Sequence, residues 1–217
     1  MRLDGNSKAL AGIFAICTAL MVSGLFSLDT RLARFIFEEV GAAFLFSRPV
    51  SNMPDLILPL VCIITGTSWA ALLYMRRKSV QGRLAGFFEY MGSALPLAYL
   101  LKSVLKDAFG RTNTRFWLLH PHQLGFHWLQ GGGDYSSFPS GHMVIFTVLM
   151  LGIGRNFPKL RLLCVGALLA LALALLVTQY HFLSDIAAGV CVGILADLLA
   201  RRGLPMLHRM VAPRPGA

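Results

Sequence analysis

Six apolar blocks in the chain approach the length of a membrane-crossing helix, near 9 to 28, 54 to 75, 84 to 105, 141 to 154, 162 to 180 and 182 to 200. About 20 apolar residues are needed to cross roughly 30 Å of hydrocarbon, so the fourth block is short for a span. The pattern predicts an all-α integral membrane bundle of about six transmembrane helices. Between the first two blocks, DTRLARFIFEEVGAAFLFSRPV mixes charges with Phe35, Phe37, Phe44 and Phe46. It predicts an amphipathic helix over 29 to 48, lying on the membrane or packed on the bundle. Residues from about 110 to 140 form the only long polar segment, which holds Arg111, Arg115, His120, His122, His127 and Asp134. Long polar loops in small membrane proteins tend to carry function. No repeat, low-complexity tract or dividing linker is present, so residues 1–217 read as a single domain with its chemistry concentrated in 106–185. The tail RRGLPMLHRMVAPRPGA after the last block is expected to fray.

Composition agrees with a membrane chain: 56% hydrophobic and 14% charged residues, with a mean hydropathy of +0.64. A net charge of +10 raises the question of nucleic acid, and the placement of the cations answers it. Thirteen of the 20 Lys and Arg are Arg2, Lys8, Arg76, Arg77, Lys78, Arg83, Arg155, Lys159, Arg161, Arg201, Arg202, Arg209 and Arg214. They fall at both termini and in alternate loops, as the positive-inside rule requires of a chain whose termini are cytoplasmic. Segments 29 to 53, 106 to 140 and the turn near 180 are then expected on the other side. The partner implied is a lipid bilayer, with no nucleic acid. Arg2 and Lys8 ahead of an apolar run also resemble a signal peptide, but the run is longer than a signal core and no A-x-A-like site follows, so an uncleaved first span is expected. Cys17, Cys62, Cys164 and Cys191 lie inside the blocks and read as small apolar residues, not a disulfide framework. Glu89 and Asp197 are carboxylates within or at the ends of blocks, for which structural pairing is expected.

Three polar clusters remain: Lys106 with Arg111 in KDAFGRTNTR, Ser140-Gly141-His142 in FPSGH, and His181 with Asp185 in YHFLSD. The predicted topology brings all three to one face of the membrane. Together they suit phosphoryl transfer. Lys106 and Arg111 can neutralise phosphate oxygens. Pro139 and Ser140 can open a helix whose free N–H groups, with the Ser140 hydroxyl, bind an oxyanion, and Gly141 permits close approach. His142 can donate a proton to a leaving oxygen. His181 and Asp185, four apart, allow the carboxylate to hold one ring nitrogen and leave the other to attack phosphorus. Taken singly, each has a plainer reading as an interfacial anchor, a helix cap or a packing histidine. The conjunction favours chemistry.

These residues resemble the type 2 phosphatidic acid phosphatase family, the membrane branch of a superfamily shared with vanadium haloperoxidases. That family shows K-x-x-x-x-x-x-R-P, P-S-G-H and S-R-x-x-x-x-x-H-x-x-x-D. Here PSGH is complete at 139 to 142 and H-x-x-x-D at His181 and Asp185. The resemblance implies a phosphatase that needs no metal or cofactor, with His181 as nucleophile, Asp185 as its orienting carboxylate and His142 as general acid. Ser140, Gly141, Lys106 and Arg111 would bind the phosphate of a membrane lipid, on the periplasmic side of a bacterial inner membrane. The chain departs from the family where Asn113-Thr114 replaces Arg-Pro and Ala174-Leu175 replaces Ser-Arg. Arg115, or one of His120, His122 and His127, is a candidate for the missing charge. Transfer of the phosphoryl group to another lipid, or a non-catalytic transporter or lipid-binding role, are the alternatives.

Overall fold

The computed structural model describes residues 5–40 and 56–211. Helix α1 (Gly5–Ser23) passes without a break through a five-residue π turn, Gly24–Leu28, into α2 (Asp29–Val40). There follow α3 (Ile57–Arg77), α4 (Arg83–Phe109), a short α5 (Thr114–Leu119), α6 (Gly141–Asn156), α7 (Arg161–Val177) and α8 (Leu183–Val211). Among the described residues, five stretches, Lys8–Glu39, Ile57–Arg77, Arg83–Phe109, Pro158–Val177 and Leu183–Leu204, are long and apolar enough to cross a membrane. The protein is an all-α integral membrane bundle.

One sequence expectation holds and two change. The fourth apolar block is α6, whose 16 residues rise only about 24 Å, as short for a span as the sequence has it. The amphipathic helix predicted from 29 does not start afresh but continues the first span, because no proline or glycine pair interrupts the turn between them. Its buried face carries Ala33 and Asp29, while Phe35 faces outward; residues 41–48, with Phe44 and Phe46, lie outside the described residues. The tail also stays helical to Val211, and only the residues beyond lie outside the described set.

The core lies where α4, α6 and α8 meet, around Met91, Leu95, Val144, Ile145, Val148 and Ala196. Small residues on α8 make this possible: a Cβ on Gly189 would stand 2.7 Å from both the Met143 Cβ and the Ser140 carbonyl oxygen. Close backbone approach of this kind is how helices gain contact in lipid, where no hydrophobic effect drives them together. At one end of the bundle Asp197, fully buried, accepts from Tyr90 Oη at 2.6 Å, pairs with Arg201 at 2.9 Å and also pairs with Arg155. Glu89 pairs with Arg76 at 3.3 Å, so both carboxylates have the structural partners expected of them.

The long polar segment, of which only α5 and two short 3-10 turns are regular, is organised by aromatic packing. Phe109, Phe126, Trp128 and Phe138 gather with ring centroids 5.0–5.9 Å apart. Backbone bonds from Thr112 to Gly125, Asn113 to Asp134 and Ser137 to Arg111 hold the segment across the bundle end opposite Asp197.

Candidate active site

A cavity of about 480 Å³ opens at that opposite end, lined by Ile57, Lys102, Lys106, Asn113, Arg115, Phe116, Asp134, Ser136, Gly141, His142, Tyr180 and His181. Lys102 and Lys106 are four apart near the end of α4 and so project from one face of it. The Lys106 ammonium donates to the Ser136 carbonyl, and the Lys102 ammonium sits 4.1 Å from the Tyr99 ring centre. Arg115, on α5, donates through Nε and Nη2 to the Thr178 carbonyl at 3.1 and 2.7 Å and stacks on Tyr180. The cavity therefore gathers three cations, from the third span and the polar loop.

Gly141 and His142 enter the cavity as the first residues of α6. Ser140 stops the preceding extended chain (ψ 113°) and caps the helix, its Oγ accepting from the Met143 N–H at 3.5 Å. The first N–H groups of a helix have no partner four residues back, and they carry the positive end of its dipole. They can therefore receive an anion where Lys106 also reaches. Ser140 itself is fully buried and does not line the cavity. Its hydroxyl is engaged at the helix N-terminus, where the sequence has it binding the oxyanion.

His181 lies just before α8, not within it, and its ring centre is 6.4 Å from that of His142. Asp185, in the first turn of α8, reaches back with Oδ2 to the Phe182 N–H at 2.9 Å, which is the return half of a capping box. The same oxygen stands 3.7 Å from His181 Nδ1. Ser137 completes the arrangement: its Oγ donates to Asp185 Oδ2 at 2.5 Å and lies 3.4 Å from His181 Nδ1. With the Ser137 proton committed to the carboxylate, its oxygen can accept from Nδ1–H, which leaves the Nε2 lone pair for the cavity. Burial pushes the His181 imidazole below its ordinary pKa, Lys106 adds to that, and Asp185 offsets only part of it.

Arg111 is not among the cavity residues. It is buried behind Asp185, donating through Nη1 to Asp185 Oδ1 at 2.5 Å and Ser184 Oγ at 2.6 Å, and through Nη2 to Asp29 Oδ2 at 2.8 Å. Phe182 and Phe126 cover its guanidinium, 4.7 and 5.4 Å from their ring centres. Burial alone would lower its pKa, but Asp185 and Asp29 outweigh that and hold it above the ordinary value. The sequence has Arg111 meeting phosphate; in the structure two carboxylates hold its fork behind the cavity.

Of the residues singled out from the sequence, the structure brings Lys106, Gly141, His142, His181 and Arg115 to the cavity wall and sets Asp185 and Arg111 directly behind it. The loop histidines stay apart, with His120 stacked on Phe116 and His127 against Tyr135 and Thr112. Lys102, Ser137 and Asp29 were missed. Lys102 had a local signal, since it stands one turn before Lys106; Ser137 and Asp29 had none that marks them out from neighbouring polar residues.

The model of the PAP2 superfamily matches residues 88–209. A lipid A 1-phosphatase of Rhizobium etli is 26% identical over 159 residues, covering 67% of this chain and 67% of that one. A lipid A 1-phosphatase of Rhizobium johnstonii is 25% identical over 183 residues, covering 77% and 73%. No solved structure matches the chain.

Proposed function

The chain belongs to the PAP2 superfamily, and from that premise we propose that it is an integral-membrane lipid phosphate phosphatase working through a phosphohistidine. The observation that carries this reading is the convergence of two imidazoles, Lys106 and the α6 N-terminus on one cavity. His181 Nε2 attacks phosphorus, the bond from phosphorus to the lipid oxygen breaks, and His142 passes a proton to that oxygen. His142, now neutral, takes a proton from water as the water attacks the phosphohistidine. Inorganic phosphate leaves and His181 returns to its neutral form. Asp185 and Ser137 hold the Nδ1–H tautomer and stabilise the positive charge that grows on the ring. Lys106, Lys102, Arg115 and the N–H groups at Gly141 and His142 bind the phosphoryl oxygens. Lys102 and Arg115 thereby supply charge that the family's Arg-Pro and Ser-Arg positions lack in this chain.

The whole chain acts as one domain, set in a bacterial inner membrane with cytoplasmic termini and the cavity on the periplasmic side. The placement of the basic residues supports that orientation. The substrate is a lipid phosphomonoester or diphosphate whose apolar part stays in the bilayer, among them phosphatidate, phosphatidylglycerophosphate, polyprenyl diphosphate and lipid A. The names of the two relatives put lipid A phosphate first.

The test is phosphate release from a panel of these lipids by detergent-purified protein, with EDTA throughout. Release with a clear lipid preference is expected, undiminished by the chelator because ammonium and guanidinium groups do the charge neutralisation. Release that requires an added divalent ion contradicts the mechanism, and labelled phosphate appearing on an added lipid acceptor in place of water replaces hydrolysis with transfer.

The pH profile follows from the state of the two histidines. Attack needs neutral His181, whose lowered pKa keeps it neutral further into acid, so activity is lost only as pH falls through that lowered value. The acid limb of kcat/KM is expected below the ordinary imidazole value of about 6.5. An alkaline limb, set by loss of the His142 proton, gives the profile a bell shape. An acid limb above the ordinary value would contradict a buried neutral nucleophile.

A further inference from the structure

We propose that Asp29, from the first membrane-crossing helix, is a positioning residue that acts through Arg111 to leave Asp185 aimed at His181 and free to stabilise its imidazolium. Its kinetic part rests on the phosphatase reading above. Asp29 lies outside residues 88–209, which the family model matches.

The geometry is specific. Asp29 is only 3% exposed, and its oxygens accept from three donors. These are the Ser184 N–H at 3.0 Å, the Ser184 hydroxyl at 2.5 Å and Arg111 Nη2 at 2.8 Å. The other limb of the same guanidinium holds Asp185 at 2.5 Å. Arg111 and Asp185 alone would already form a neutral buried pair, so neutralisation of Arg111 does not call for a second carboxylate. Asp29 draws the guanidinium charge in the opposite direction and leaves the cluster with a net negative charge on the His181 side. Asp185 can then bind Ser137 and stabilise the imidazolium formed during attack, instead of being spent wholly on the arginine.

The backbone of the first helix is shaped for this contact. The π turn Gly24–Leu28 rotates Asp29 inward, and π turns of this kind recur at functional sites. Gly24 is needed there: a Cβ would stand 2.7 Å from Asp29 Oδ1 and 2.8 Å from the Ser184 Cβ. Besides Asp185, the charged and titratable groups that bear on His181 are Lys106 on α4 and His142 on α6, with Arg111 behind Asp185. Substituting Asp29 leaves all of these residues in place and changes only how Arg111 is shared.

The experiment compares wild type with Asp29→Asn in detergent. It uses steady-state kinetics across pH, thermal unfolding, and 15N-histidine NMR to follow the His181 titration without substrate. In Asp29→Asn, kcat is expected to fall about tenfold or more with KM within about twofold of wild type, since orientation and not binding is lost. Removing a nearby negative charge disfavours the imidazolium, so the His181 midpoint and the acid limb both move to lower pH, by roughly half a unit. Wild-type kcat and an unmoved midpoint, with only a lower Tm, would make Asp29 a structural clasp between helices and overturn the proposal. If wild type releases no phosphate from any lipid, the phosphatase reading fails, while a shifted NMR midpoint still upholds the coupling and an unshifted one rejects it. Should Asp29→Asn not fold, Asp29→Glu keeps the charge but displaces it. There the midpoint should stay and kcat fall severalfold; wild-type kcat would count against the proposal.

Discussion

His181→Ala is expected to reduce phosphate release on the order of 10⁴-fold or more, because the variant has no atom to form the covalent intermediate. The alanine leaves Asp185, Ser137 and the cations in place, so lipid binding should survive: a competing lipid phosphate should bind with an affinity close to wild type. Trapping with labelled substrate should give acid-labile label on wild type and none on the variant. His142→Ala is the informative contrast, since it removes the proton donor but leaves the nucleophile. It should retain more activity than His181→Ala, with a loss of about 10²–10⁴-fold. Equal release by His181→Ala and wild type would remove His181 from the chemistry and the phosphohistidine with it.

Loss of Arg111 is expected to damage the fold more than substrate binding. Arg111→Met leaves Asp29 and Asp185 facing each other in a buried site with no cation between them. Breaking a buried ion pair by removing one partner costs about 3–5 kcal/mol. Here one guanidinium serves two carboxylates, each no more than 4% exposed in its side chain. The measurement is thermal unfolding in detergent, where Tm should fall well below that of a variant at an exposed cation such as Arg76→Met. Arg111→Lys should rescue little, because a single ammonium cannot fork to both acids. A variant with wild-type Tm and a raised KM would instead return Arg111 to the phosphate-binding set.

What was readable in the sequence depended on how local each signal is. The apolar blocks translate into helices because the bilayer demands some 20 apolar residues and lets the backbone satisfy itself only internally. The shortness of α6 was visible for the same reason. Ser140 as a cap and the PSGH turn are likewise local, since a cap needs only its own first turn. The boundary between the first span and the amphipathic segment was misplaced because charge at Asp29 and Arg31 reads as the end of a membrane helix. Burial of Asp29 against Arg111 and Ser184 removes that reason to stop.

Arg111 shows where local reasoning ends. From its neighbours it is a cation at the end of a span, fit for phosphate, and nothing nearby reveals the carboxylate 82 residues earlier that claims it. Ser137 is similar, a serine beside a motif whose partner lies 48 residues on. By itself the sequence determined the apolar helices, the alternation of basic loops and the identity of the two histidines and the lysine that meet in one cavity. Only the tertiary structure decided which cations face that cavity and which are buried behind it. The physical reason is that a side chain's apolarity is its own property, whereas the partner of a buried charge is set by whichever opposite charge the packing of distant helices brings within reach.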